Sequence, residues 1–330
     1  MAITENSLLE YESGQAFNDW EELVDTGDRM VFEASFAPWS GRSGFETTVR
    51  PWGVATGGQV TPHTANDTVT VAALGAYMPG AAAADADGHV SVASTEVVVG
   101  RAEIDTHLIT SITVTAAGAL AAVEGDEGTS FTNERGGDGG PPFIPVDSIE
   151  VAQVRLSGQS AAVVASTDIF RVVGVHQERY DQPVFAVDPA VGEVHFASPL
   201  PAIHVGGTTK RVGARGYTPI FAEMPRCAAF VPADESHSVS STEIYGGTLG
   251  SVSRSLQQAS FTHYGNDGHT DPPVQLKNQR LWIRWAQDRN RTPYSLTQGT
   301  LGIARQYPAG DHVAINVTIS AEQATVDFEG

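Results

Sequence analysis

Hydrophobic and polar positions alternate along most of this chain. In the closing stretch HVAINVTISAEQATVDFEG, Val313, Ile315, Val317, Ile319 and Ala321 fall on one side of an extended backbone. Ala314, Asn316, Thr318 and Ser320 fall on the other. Successive side chains of a strand point to opposite faces, so this is expected to be a strand with one apolar face and one small polar face. Similar β texture marks RMVFEASFAP, DTVTVAALGAYMPG, HVSVASTEVVVGR, LITSITVTAAGALAAVEG, DSIEVAQVRL, SAAVVAS, IFRVVGVH, GEVHFAS, QRLWIRWAQ and TLGIARQY. Turn signals such as Asp87-Gly88 separate the runs. The expected fold is mainly β: an antiparallel sandwich or barrel with one or two short flanking helices, built as one or two β modules.

Two places break the rhythm. Phe17, Trp20 and Leu23 recur every three residues, with Asp19, Glu21 and Glu22 turned away, which predicts a short helix in an arm spanning residues 1–24. Such a short stripe must dock on something to persist. Ser251 to Phe261 is a second helix candidate inside a more irregular stretch. GDEGTSFTNERGGDGGPPFIP, Gly125 to Pro145, is rich in Gly, Pro and charge and is expected to be a linker or a mobile loop. With 330 residues, two domains are expected: 25–145, ending in that segment, and 146–330.

Charge narrows the function classes. Residues 1–150 carry 23 acids against five arginines, and residues 151–330 carry 16 acids against 14 bases. A first half with a net of −18 cannot grip phosphates, because nucleic-acid affinity comes mainly from Lys and Arg. Cys227 is the only cysteine, and its flanks PRCAAFV predict a packed, unreactive thiol on a strand. The opening MAITENSLLEYES has neither a basic start nor an apolar core, so the protein is expected to be made in a cytoplasm and to stay soluble. Thr106 to Val123 is Thr-rich and interrupted by Gly118, which suits strands better than a membrane span.

Catalytic signatures are missing from the sequence: there is no G-x-S-x-G, P-loop, H-E-x-x-H or Cys cluster. HYGNDGHTD gathers His263, Asp267, His269 and Asp271, but on no regular element, so a solvated turn is expected in place of a metal site. DADG at Asp85–Gly88 begins like a calcium loop without the closing Glu and reads as a hairpin turn. No cofactor and no enzymatic activity are expected. Trp282 and Trp285 should lie on opposite faces of one strand, and Trp39 and Trp52 should flank a hairpin with Arg42 near its tip.

The segment LWIRWAQDRNRTPYSLTQGTLGIARQYPAGDHVAINVTISAEQATVDF, Leu281 to Phe328, resembles the C-terminal strands of bacteriophage major tail (tail tube) proteins of long-tailed phages. That resemblance implies a β-sandwich assembled into stacked rings, with inner strands forming a wall around a DNA channel. The implied partners are copies of the chain and other tail proteins (tape measure, terminator, distal tail), with DNA passing unbound and no membrane contact. The implied location is the virion tail, after assembly in the host cytoplasm. Leu8, Leu9, Phe17, Trp20, Trp39, Arg42 and Trp52 are the candidates for contacts between subunits or rings. Glu96, Glu103, Asp105, Glu150, Glu193, Asn316 and Thr318 are the candidates for the channel wall, where acid would repel a passing polyanion. Deleting residues 1–24 is expected to leave a folded monomer unable to polymerise. The alternative reading is a virion decoration or lectin-like adhesin that binds host-surface glycan near Trp39, Trp52 or His263. A carboxylate-pair glycosidase ranks third.

Overall fold

The computed structural model describes residues 6–79, 87–104, 106–245 and 247–329. The fold is mainly β, built of antiparallel sheets. Helix among the described residues is limited to single turns, Pro272–Gln275 being the one α turn.

The chain forms two units, but neither is a continuous stretch. Unit 1 comprises 1–18, 36–47 and 216–330; unit 2 comprises 19–35 and 48–215. This replaces the expected division into 25–145 and 146–330. The excess acid lies mostly in unit 2, with 24 acids against ten bases, whereas unit 1 has 15 against nine.

In unit 1, Tyr294–Gln306 and Val313–Ala321 pair along eight residues, from Gly299↔Ala321 to Gln306↔Ala314. Ala259–Gly265 adds to the far side of Val313–Ala321, and Cys227–Val231 forms the sheet edge beyond it. On the other side come Arg280–Ala286 and then the 8–18 part of the strand Leu8–Glu22. As the alternation predicts, Ile315, Val317 and Ile319 of the terminal strand are fully buried. They join Leu9, Phe261, Leu281, Ile283 and Leu301 in one core, while Thr318 and Ser320 remain exposed and Asn316 half-buried.

The predicted N-terminal helix is instead a strand of 15 residues, Leu8–Glu22. Its first residues are fixed by partners far away in sequence: Leu8↔Ala286, Leu9↔Trp285, Glu10↔Arg284 and Tyr11↔Ile283. A three-residue stripe is too short a helical signal to compete with a row of ladder hydrogen bonds. Ser251–Phe261 is not helical either. It falls in Gly247–Leu256 and Ala259–Gly265, both strands. SAAVVAS, expected as a strand, is irregular, and IFRVVGVH contributes only the two-residue strand Ile169–Phe170.

Unit 2 has its core around His107–Thr115, flanked by Leu120–Glu124 and Ser148–Ser157. Ile112, Val114, Ile149, Val151 and Val154 pack there with Trp52, Val54, Val69, Val71 and Met78 from shorter sheets. Gly118, with φ +80°, makes the turn between the first two of these strands. No described helix is long and apolar enough to cross a membrane.

Gly125–Pro145 is neither a linker nor loosely packed. It lies wholly within unit 2, and Gly139, Gly140, Pro141 and Pro142 are buried. Gly128 and His107 exchange backbone hydrogen bonds of 2.9 and 3.0 Å, and Gly125 N–H donates to the Ile109 carbonyl at 2.9 Å. A Cβ on Gly140 would sit 2.0 Å from the Glu134 carbonyl oxygen. Its glycine therefore serves close packing, not mobility.

Candidate functional site: an unpaired ribbon

Glu235–Ile244 and Gly247–Leu256 pair over ten positions, from Glu235↔Leu256 to Ile244↔Gly247, and among the described residues they form a sheet of two strands alone. Alternation gives the ribbon two distinct faces. One carries facing serines whose hydroxyls hydrogen-bond: Ser236 with Ser255 at 2.7 Å, Ser238 with Ser253 at 2.5 Å, and Ser240 with Ser251 at 2.6 Å. The other carries the Arg254–Glu235 ion pair and, further out, Val239 opposite Val252.

Val239 and Val252 are 75% and 69% exposed, and Tyr245 at the turn is fully exposed. A two-stranded hairpin is marginal by itself in water, and both its edges carry unpaired N–H and C=O groups. The sheet edge Cys227–Val231 differs, because a register shift between Ala228 and Val231 and a positive φ at Ala229 (54°) interrupt its ladder. A bulge of this kind blunts an edge against further pairing.

The predicted contact residues divide. Leu9, Trp39 and Trp52 are buried within their own units and offer no contact surface, which corrects their assignment. Trp39 is covered because it packs on Phe36, its indole N–H donates to the Phe36 carbonyl, and its own carbonyl accepts the Trp282 indole N–H at 2.8 Å. Trp52 joins the core of unit 2 under the Arg211 guanidinium. No hairpin links them. Residues 39–47 are irregular, and Arg42 donates to Gln279 Oε1 at 2.6 Å. Trp20 is half-buried beneath the guanidinium groups of Arg50 and Arg215. Leu8 is half-buried, and Phe17 is exposed beside Tyr217.

The predicted channel residues divide too. Glu96 and Glu103 are exposed and Glu193 half-buried in unit 2, whereas Asn316 and Thr318 belong to unit 1; Asp105 lies outside the described residues. Glu150 is not on a surface, which corrects its assignment. Only 2% exposed, it pairs with Arg135 at 2.6 Å, accepts the Ser111 hydroxyl, and accepts Gln153 Nε2 at 3.1 Å. Burial pushes its carboxyl upward, and Arg135 opposes that shift.

Beside Glu150 lies an ionic group with no obvious sequence signal. Glu178 is buried and its carboxyl is pushed up to about 7 by loss of solvent, against the pull of Lys210. Lys210, equally buried, is pushed down to about 8. Its ammonium donates to the Arg179 and Gln182 carbonyls at 2.5 and 2.9 Å. Lys210 is one of just two lysines in the chain, a scarcity that could have drawn notice. The ribbon was missed, the stretch being expected as irregular with a helix at Ser251–Phe261, although serines at every second position flank Gly246-Gly247, a dipeptide that signals a hairpin turn.

The HYGNDGHTD loop spends its carboxylates on its own backbone. Asp271 accepts N–H groups of Asn266 and Gly268 at 2.9 and 2.8 Å, and Asp267 accepts those of His269 and Thr270 at 2.7 and 2.8 Å. His263 is in fact on a strand, facing Cys227 and Ile315. Asp85 of the DADG stretch lies outside the described residues, and Gly88 has the positive φ of a turn (71°). Among the described residues no cluster of three or more His, Cys, Asp or Glu side chains could hold a metal ion.

Comparison with known protein families, with curated proteins and with solved structures found no match.

Proposed function

We propose that this chain is a structural protein that assembles with copies of itself, and that the assembly is the tail tube of a bacteriophage. The observation that carries self-assembly is the ten-position ribbon with exposed Val239, Val252 and Tyr245 and, among the described residues, no further strand beside it. Repeated head-to-tail docking of one surface on a neighbour closes into a ring when the rotation allows, and rings that stack make a tube. Strand addition supplies the affinity through main-chain hydrogen bonds. The tube reading rests further on the likeness of Leu281 to Phe328 to tail-tube termini and on the outward polar face of Val313–Ala321. In this reading Glu96, Glu103 and Glu193 remain channel candidates, the strong acid excess keeps monomers apart before nucleation, and DNA slides without adhering. The deciding experiment is negative-stain microscopy with sedimentation velocity on the full chain and on a variant whose residues 236–255 are replaced by a short turn. Rings or tubes from the full chain, and monomers from the variant, are expected. A full chain that stays monomeric at all concentrations rejects the proposal.

A further inference from the structure

Unit 1 carries a pocket of about 490 Å³ on the strands that feed the ribbon. Leu9, Met224 and Phe261 give it an apolar floor. One wall is the half-buried aromatic pair Phe230 and Trp285, stacked with centroids 5.7 Å apart and planes 16° from parallel. Ala228 and Ala229, exposed at the bulge of the sheet edge, line it with methyl groups alone, so this side of the pocket is shallow. Arginine supplies the charge. Arg226 and Arg289 line the pocket with Glu223 as the one acid. Glu223 pairs with Arg289 at 3.3 Å, whereas Arg226 is exposed and donates to Asn266 Oδ1, with no carboxylate partner among the described residues. A net positive spot of this kind stands out on a chain of net charge −20.

The ribbon's tip has the complementary character. Tyr245 is fully exposed at the turn, and Glu243, two residues before it, is exposed as well. Between Glu235 and Arg254 the chain has no Lys or Arg. A phenol ring brings an apolar body with a polar end, which suits an aromatic wall bounded by arginine. Tyr, Trp and Arg are also the residues that most often dominate the energy of an interface. The tip does not reach the pocket of its own chain. Ten paired positions at about 3.3 Å each hold Tyr245 roughly 30 Å beyond the Glu235–Leu256 pair. Phe230 and Phe261 lie on the strands that enter the base of the ribbon, where the Gln257 N–H donates to the Asp234 carbonyl at 2.9 Å and continues the ladder.

We propose that this pocket receives the ribbon tip of a second copy, with the Tyr245 ring against Phe230 and Trp285 and the Glu243 carboxylate toward Arg226. The contact rests on the self-assembly reading and names the surface on which the ribbon docks. Tip and pocket are different surfaces, so the contact is head-to-tail, as a ring or an open filament requires. Two variants of the full chain test it at exposed positions: Tyr245→Ala removes the ring, and Ala228→Trp fills the pocket. Circular dichroism should match wild type for both. In sedimentation velocity each alone should associate about thirtyfold more weakly than wild type. Mixed in equal amounts, the two should form a capped heterodimer. The intact pocket of the Tyr245→Ala chain takes the intact tip of the Ala228→Trp chain, and no other tip and pocket remain. Arg226→Glu is an independent pocket variant and should repeat the Ala228→Trp result. If wild type assembles and the variants assemble as tightly, or are monomeric but fail to pair on mixing, the tip-to-pocket contact is overturned while self-assembly stands. A wild-type chain that stays monomeric at all concentrations overturns the self-assembly reading and this contact with it.

Discussion

The carboxylate of Glu12 accepts the backbone N–H of Trp282 at 3.1 Å, a bond between residues 270 positions apart in the chain. Its other oxygen takes the Ser40 hydroxyl at 2.5 Å and Gln15 Nε2 at 2.8 Å, and Glu12 is fully buried. All four residues lie in unit 1, so one side chain ties three separate stretches of sequence together. Replacing Glu12 by Ala leaves buried donors without acceptors, at roughly 1–3 kcal/mol for each group. Chemical denaturation should show that loss, and Glu12→Gln, which keeps one acceptor oxygen, should recover part of it.

The same bond changes the expectation for removal of residues 1–24. That deletion takes away an interior strand of the unit 1 sheet together with Leu9 and Glu12. Circular dichroism and proteolysis of the truncated chain should report an unfolded or aggregated unit 1, not a folded monomer.

Assembly should fail without any loss of folding when the ribbon's apolar face is charged. Val239→Asp with Val252→Asp alters two exposed positions that face each other. The melting temperature should stay within a few degrees, since exposed substitutions seldom exceed about 0.5 kcal/mol. Sedimentation should report monomers only.

Arg135 neutralises a buried carboxylate. Arg135→Met strands Glu150 and should destabilise unit 2 by about 3–5 kcal/mol, the usual cost of breaking a buried pair from one side. Adding Glu150→Gln should restore much of the stability, a coupling that a double-mutant cycle measures.

Glu178 gives a pH signature. Its ordinary value of 4.5 rises to about 7 on folding because burial outweighs the attraction of Lys210, the Glu150 N–H and Arg135. Between these values the unfolded chain has released the proton that the folded chain keeps, so this group's stabilisation is full below pH 4.5 and is lost as pH climbs through 7. The stability of Glu178→Gln relative to wild type should therefore rise over that window, and a flat difference would contradict the burial account.

Much of unit 1 was legible because the terminal strand carries its whole signal locally: buried Ile315, Val317 and Ile319 follow from alternation alone. The first strand was not, because its conformation is decided by Arg280–Ala286, hundreds of residues downstream. Glu150 was misread for a related reason. A carboxylate in a strand reads as a surface group unless its counter-ion is known, and Arg135 reaches it from a loop whose glycines suggested mobility. The ribbon shows the reverse error: its serines alternate plainly, but polarity on both strands hid a sheet with nothing to bury.

The division of the chain into interleaved units has a consequence for biosynthesis. Residues 8–11 leave the ribosome well before their strand partners, Ile283–Ala286, are translated. All of unit 2 emerges in between, with every segment it needs complete once Arg215 is exposed. Unit 2 can thus fold on the nascent chain while unit 1 waits, its first strand held open by the slow closure that long-range pairing imposes. The unit that carries the ribbon matures after unit 2, so under the proposed assembly a copy would gain the means to join another only after its unit 2 has folded.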